Sequence, residues 1–457
     1  MAKKIIEKVV ETPAKVLDKT IEESKKIGKA AVSERHLKKA KDYWEMLGPG
    51  LTTGASDDDP SGIATYSQAG SQFGYRLLWL APFTFPLMAA VQEMCARIGL
   101  VTGRGLAANI RIHFPRSVLY ISTLLLFIAN AFNIGADLGA MAAATRLLFA
   151  QLSFSFLVVI FAVLILFLQI FSSYQKYAKY LKWLSLILLA YVFSVLMIEG
   201  LNWKEILIQT IRPTFSFNKD FIFIVCAVLG TTISPYLFFW QTSQEVEEAI
   251  ERGRTNIKLR QDEVTDEEIK EMRLDIFSGM FFSNLVMFFI IVACAAVLNA
   301  SGITDIKTAA QAAEALRPFA GDASYFLFTI GIIGTGLLGI PVLAGSSSYA
   351  FAESFGFREG LHKKLRQAYS FYGLIIISVL VGLILNFVGL DPIKALIWAA
   401  VINGLVAPVI LAMIVVLSSN KKIMGDRVNH KFTTLVGWMI TAMMALVGLL
   451  TIFQIIG

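Results

Sequence analysis

Eleven apolar segments, each near the roughly 20 residues needed to cross a bilayer, constrain this chain more than any other feature. They run over about 44–70, 75–98, 117–145, 153–173, 181–201, 220–244, 274–299, 322–350, 369–389, 392–417 and 433–456. Hydrocarbon offers backbone groups no water, so segments of this length satisfy themselves as helices. Hydrophobic residues make up 56% of the 457 and charged residues 16%, against ~25% charged in an ordinary soluble domain. An all-α integral membrane protein is expected. The first forty residues are lysine-rich and amphipathic, without the apolar core of a cleavable signal.

The distribution of charge orients the spans. If the N-terminus is cytoplasmic and the spans alternate, the inner segments hold 33 of the 41 Lys and Arg. That asymmetry is the positive-inside pattern. It places the chain in the plasma (inner) membrane with a cytoplasmic N-terminus and an extracellular C-terminus. The basic excess then faces anionic lipid, and no nucleic-acid partner is implied. His36, His113, His362 and His430 all fall in cytoplasmic segments, so none serves as a ligand or proton relay at membrane depth. Cys95, Cys226 and Cys294 sit in apolar runs without framework spacing and read as packing residues.

Within this apolar chain, Gly54-Ala55-Ser56-Asp57-Asp58-Asp59-Pro60-Ser61-Gly62 is anomalous. An ionisable residue at membrane depth costs roughly 3 kcal/mol on insertion scales and marks a functional site by default. Pro60 removes a backbone donor and disfavours helix at Asp59, so the first span breaks there. The broken backbone and carboxylates would serve a cation. A plainer alternative is that Asp59 caps a helix beginning at Pro60 in a surface loop.

The sixth span has its own interruption, Gly230-Thr231-Thr232-Ile233-Ser234-Pro235-Tyr236. Alone, it would read as a kink. The two interruptions, however, occupy the same place in spans one to five and six to ten. Paired breaks in corresponding halves point to a transporter's midplane site, which an inverted repeat brings together. The resulting organisation is a tail (1–43), a first repeat (44–201), a connector (202–219), and a second repeat (220–417) with a charged, helical cytoplasmic loop (245–273). A connector and an eleventh span follow (418–457).

The run GPGLTTGASDDDPSGIATYSQAGSQFGYRLLW, continuing to ARIGLVTGRGLA, and the TTISPY run of span six resemble the natural resistance-associated macrophage protein (Nramp) transporters. The resemblance implies a LeuT-like fold: a 5+5 inverted repeat plus an eleventh helix, with helices one and six broken at Pro60, Gly62, Gly230 and Pro235. It also implies a divalent metal substrate held by Asp59, with the Thr231 carbonyl as a further ligand. The departures matter. The family's Asp-Pro-Gly-Asn reads Asp59-Pro60-Ser61-Gly62 here, so an amide ligand is lost at Gly62. Its Met-Pro-His reads Ser234-Pro235-Tyr236, so the thioether and the histidine are gone. On the third helix, Asn133 and Ala136 stand where proton-coupled members carry acids, with Asp137 adjacent.

Thioether sulfur helps select manganese and iron, whereas carboxylate, carbonyl and water suit magnesium. Mg²⁺ dehydrates reluctantly and keeps several waters. The altered donors therefore resemble the Nramp-related magnesium transporters. The expected substrate is a partly hydrated Mg²⁺, taken up without proton coupling, with Mn²⁺ as the alternative and no cofactor. Expected metal-site residues are Asp59, Asp58, Ser234, Thr231, Tyr236 and Gly62, followed by Asp57, Gln241 and Asn403. Two rivals are a proton-coupled Mn²⁺/Fe²⁺ transporter and a sodium-coupled organic-solute transporter with Asp59 as counter-charge. No nucleophile–base pair, metal-ligand spacing or phosphate loop suggests an enzyme. The chain is expected to work as a monomer in the lipid bilayer. Glu93 and Arg97, at i and i+4, read as a structural ion pair.

Overall fold

A computed structural model describes residues 48–171 and 186–456, and residues 49–457 form one packed unit. The amphipathic tail expected over 1–43 lies outside the described residues, as does the beginning of the fifth expected span. The broken first span comprises α1 (Pro49–Asp57) and α2 (Pro60–Phe73). There follow α3 (Leu80–Thr102), α4 (Leu106–His113), α5 (Arg116–Leu148), α6 (Phe154–Phe171) and α7 (Leu189–Met197). Next come α8 (Trp203–Ile211), then the broken sixth span, α9 (Lys219–Thr232) and α10 (Pro235–Glu251). The remainder are α11 (Ile257–Asp262), α12 (Asp266–Cys294), α13 (Ala309–Glu314), α14 (Ser324–Phe355), α15 (Tyr369–Leu385), α16 (Pro392–Ser418) and α17 (Lys431–Ile456).

Each break forms where the sequence denies the helix a donor. Pro60 and Pro235 both open helices, a position in which the missing N–H costs nothing. Asp59 and Ser234, the residues before them, are extended. By length and hydropathy alone, seven described helices are able to cross a membrane. The sequence led us to expect eleven spans. The first is cut into two short halves, the fifth lies partly outside the described residues, and α15 is only 17 residues long. Between α2 and α3 the chain turns through 111°, which makes the first two spans a hairpin.

The expected loop 245–273 is mostly an extension of its neighbours: α10 runs to Glu251, and α12 begins at Asp266 behind the Thr265 cap. Arg252 and Arg254 clamp it through Glu268, at 2.9 and 3.0 Å. The short helix α13, capped by Thr308, had no counterpart in the sequence reading. Glu93 and Arg97 do pair, at 2.9 Å, and Arg273 joins them at 2.9 Å. All three cysteines are free and buried. Glu353 of α14 is buried and accepts a hydrogen bond from the Ala108 amide at 2.9 Å.

Around the breaks the helices approach to backbone contact. A β-carbon on Gly230 of α9 would collide with the Ala400 carbonyl and lie 2.5 Å from the Gly404 nitrogen on α16. Gly50 and Gly54 of α1 press in the same way against the backbone of α12 around Ile276 and Gly279. Glycine is required here by space, since none of these five glycines has a positive φ.

Candidate functional site

The two breaks face one another. A β-carbon on Gly62 would stand 2.8 Å from the Asp57 carbonyl and 3.2 Å from the Thr231 hydroxyl, so the α1–α2 link lies against the end of α9. Tyr236, the second residue of α10, donates to the Ser56 carbonyl near the end of α1 at 3.1 Å. Tyr66 of α2 lies 3.3 Å from the Thr232 hydroxyl. Two helices thus end here, α1 and α9, and their C-terminal carbonyls carry partial negative charge toward the gap.

Asp59 takes up one part of the plainer sequence reading. It caps α2, accepting from the Gly62 amide at 2.8 Å through Oδ1. It is nevertheless only 1% exposed, so it is no surface-loop residue. Its other oxygen accepts from Asn133 Nδ2 of α5 at 3.1 Å. The same nitrogen donates to Asp137 Oδ2 at 3.0 Å, and Asn133 Oδ1 accepts from Asn403 Nδ2 at 3.0 Å. The expected third-helix positions therefore separate: Asn133 is bonded directly to the candidate ligand, Asp137 stands one bond away, and Ala136 is buried without a polar group.

The three acids of the triplet do not converge. Asp57 Oδ2 and Asp58 Oδ1 both accept from Ser283 of α12, at 2.7 and 3.3 Å. Asp59 turns toward α5 instead. Among the described residues no group of three His, Cys, Asp or Glu side chains is gathered as a metal cluster. Asp57 Oδ1, Asp58 Oδ2 and Asp137 Oδ1 are buried without a hydrogen-bond partner. No described Lys, Arg or His forms an ion pair with any of the four carboxylates. Four buried carboxylates with no basic partner require either cations or protons, because an uncompensated buried charge is prohibitively costly.

Other expected ligands take different parts. The Ser234 hydroxyl donates to the carbonyls of Gly230 and Thr231, at 2.6 and 2.7 Å, and so closes the end of its own helix. The Thr231 carbonyl accordingly already has one donor. Gln241 lies beyond the break, well along α10, where it accepts from Thr53 of α1 at 2.5 Å and donates to Glu245 at 2.8 Å. It ties α1 to α10. Asn403 touches Asn133 and makes no hydrogen bond to Asp59. Both corrections have one cause: residue type marks a polar side chain, while helix register and rotation decide its neighbour.

Sequence reading missed three contributors. Ser283 is one, although a Ser-Asn pair in the middle of an apolar span was a visible signal. Asp275 is another: its carboxylate accepts from the amides of Gly50 and Leu51, at 2.6 and 3.0 Å, and caps α1 from a distant helix. The third is Gly339 of α14, where a β-carbon would lie 2.9 Å from Asp59 Cβ. A lone glycine in a glycine-rich span carries no such signal.

Comparison with known proteins bears on the family and the fold. The divalent metal cation transporter MntH of Klebsiella pneumoniae subsp. pneumoniae is 27% identical over 419 residues, covering 90% of this chain and 95% of the relative. The crystal structure of the Eremococcus coleocola manganese transporter, in complex with an aromatic bis-isothiourea compound, superposes with a TM-score of 0.69. It has 19% identity and covers 91% of this chain and 87% of that one. Mhp1, a nucleobase-cation-symport-1 family transporter, reaches 0.55 at 14% identity, covering 90% and 91%. These likenesses establish the all-helical LeuT-like fold with its broken helices. The family model described as natural resistance-associated macrophage protein-like matches residues 50–454, and the chain belongs to that family.

Proposed function

We propose that the protein is a transporter, not an enzyme, and carries divalent metal cations across the plasma membrane by alternating access. The cation is held at Asp59 between the two breaks. The observation that carries this reading is the Asp59 carboxylate: buried, oriented by one backbone amide and one side-chain amide, and without a basic partner. Such a carboxylate retains lone pairs for a cation that supplies the missing positive charge. The Ser56 and Thr231 carbonyls and the Tyr236 hydroxyl border the same gap and would complete the ion's shell directly or through its waters. Asp57 and Asp58, on the α12 side, would add negative field without being ligands.

For the ion itself, the oxygen-only donor set around Asp59 supports Mg²⁺, bound with part of its water. Asn133 supports uptake without proton coupling. An amide joins Asp59 to Asp137, and an amide does not relay a proton as a carboxyl would. Entry of a divalent cation at ~100 mV gains about 4.6 kcal/mol, so no coupled ion is required. A second reading is proton-coupled Mn²⁺ or Fe²⁺ uptake, and the likeness to a divalent metal cation transporter and a manganese transporter favours its choice of metal. Both readings set the N-terminus in the cytoplasm.

Proteoliposome uptake tests these statements together. Asp59→Ala should abolish divalent uptake, and normal uptake by that variant would remove the site. In the parent, micromolar Mn²⁺ displacing millimolar Mg²⁺, with stoichiometric acidification of the lumen, would establish the second reading over the first.

A further inference from the structure

Asn133 has to present its amide in one sense. Its Nδ2 serves two carboxylates at once, Asp59 Oδ2 at 3.1 Å and Asp137 Oδ2 at 3.0 Å. Were the amide flipped, its carbonyl would face two negatively charged oxygens. Among the described residues, Asn133 Oδ1 receives one hydrogen bond, from Asn403 Nδ2 of α16 at 3.0 Å. Asn403 itself is 1% exposed, and its Oδ1 has no hydrogen-bond partner. It could therefore have been an apolar residue at no loss of its own bonds other than this one. A buried amide with a single bond, in a helix that is neither of the broken pair, calls for a function.

We infer that Asn403 is a positioning residue for cation transport: by donating to Asn133 Oδ1 it locks the amide that orients Asp59, and it touches no cation itself. This rests on the reading of Asp59 as the cation ligand. Donation is directional, running from Asn403 to Asn133 and on to Asp59 and Asp137, so each bond polarises the next in the same sense. A side chain at 403 without a donor leaves Asn133 Oδ1 unpaired in a buried site. Asn133 then turns, and the carboxylate of Asp59 loses its 3.1 Å tether.

The donor requirement gives a readout that a packing role would not. In Asn403→Asp, the introduced carboxyl donates to Asn133 only while protonated, whereas in Asn403→Ala no donor exists at any pH. The titratable groups next to this chain of bonds are Asp59 at the α1–α2 link and Asp137 on α5, with Tyr236 on α10 bonded to the Ser56 carbonyl and Cys226 on α9 against Gly404. All are shared with the parent, so each variant is measured as a ratio to the parent at the same pH.

Uptake of Mg²⁺, and separately of Mn²⁺, is measured in proteoliposomes over about pH 5.5 to 8, with Asp59→Ala in parallel. Asn403→Ala should raise the half-saturating concentration about tenfold at every pH. Asn403→Asp should approach the parent at the acidic end and fall toward the alanine variant as the pH rises. An alanine variant within twofold of the parent overturns the inference, and so does an aspartate variant whose ratio to the parent is independent of pH. If Asn403→Ala does not yield folded protein, the pH-dependence of the aspartate ratio decides alone. Uptake by Asp59→Ala would instead refute the site, so the two failures are distinct.

Discussion

Gly339→Ala is the sharpest test of how tightly the candidate ligand is held. The β-carbon it adds would lie 2.9 Å from Asp59 Cβ, while carbon atoms prefer roughly 3.5 Å, so one of them must move by ~0.6 Å. Neither side yields easily. Gly339 sits inside the 32-residue helix α14, and Asp59 is fixed by bonds of 2.8 Å to Gly62 and 3.1 Å to Asn133. Both bonds run from the same carboxylate, and a displacement of that size does not preserve the two together. A hydrogen bond to a charged group contributes about 1.5–3 kcal/mol, which corresponds to roughly a 10- to 150-fold rise in half-saturating cation concentration. The assay is concentration-dependent uptake in proteoliposomes, with thermal unfolding in detergent as the check on global stability. Half-saturation within twofold of the parent, in a variant that unfolds like the parent, would show that Asp59 is not constrained by its packing and would refute the argument.

Two further outcomes follow from contacts that hold the broken span in place. Asp275→Ala leaves the amides of Gly50 and Leu51 without their cap and should destabilise the fold by about 1–2 kcal/mol; Asp275→Asn, which keeps one acceptor, should cost less, as thermal melting would report. Ser283→Ala removes the hydrogen bonds that Asp57 and Asp58 receive from α12. Its melting temperature should therefore rise more steeply with added divalent cation than the parent's, and an unchanged slope would count against a cation near that pair.

Much of the fold could be read from the chain because membrane crossing leaves a long, local signal. The apolar runs fixed where most helices lie, and Pro60, Pro235 and the acid triplet marked the breaks by being chemically out of place. The facing of those breaks was also legible, since it follows from the repeat. What the chain did not disclose depends on side-chain direction within a helix. Asp59 and its neighbours Asp57 and Asp58 differ by one or two residues, yet they turn to α5 and α12 respectively. Gln241 and Asn403 are polar in apolar spans as expected, but rotation about their helix axes takes them to Thr53 and Asn133. Ser283, Asp275 and Gly339 act through partners more than 70 positions away in the sequence, and nothing local in one sequence encodes such pairings.

The bare backbone contact between α1 and α12 has a mechanical consequence. Gly50 and Gly54 meet Ile276 and Gly279 at backbone distance, and Asp275 and Ser283 of α12 pin that plane with hydrogen bonds near the two ends of α1. Parting it breaks those hydrogen bonds together with the backbone contact. A nine-residue half-helix pinned near both ends in this way travels with α12 as one piece. One methyl group at Gly50, Gly54 or Gly279 would wedge the two backbones apart, and at Gly50 it would also strain the Asp275 cap.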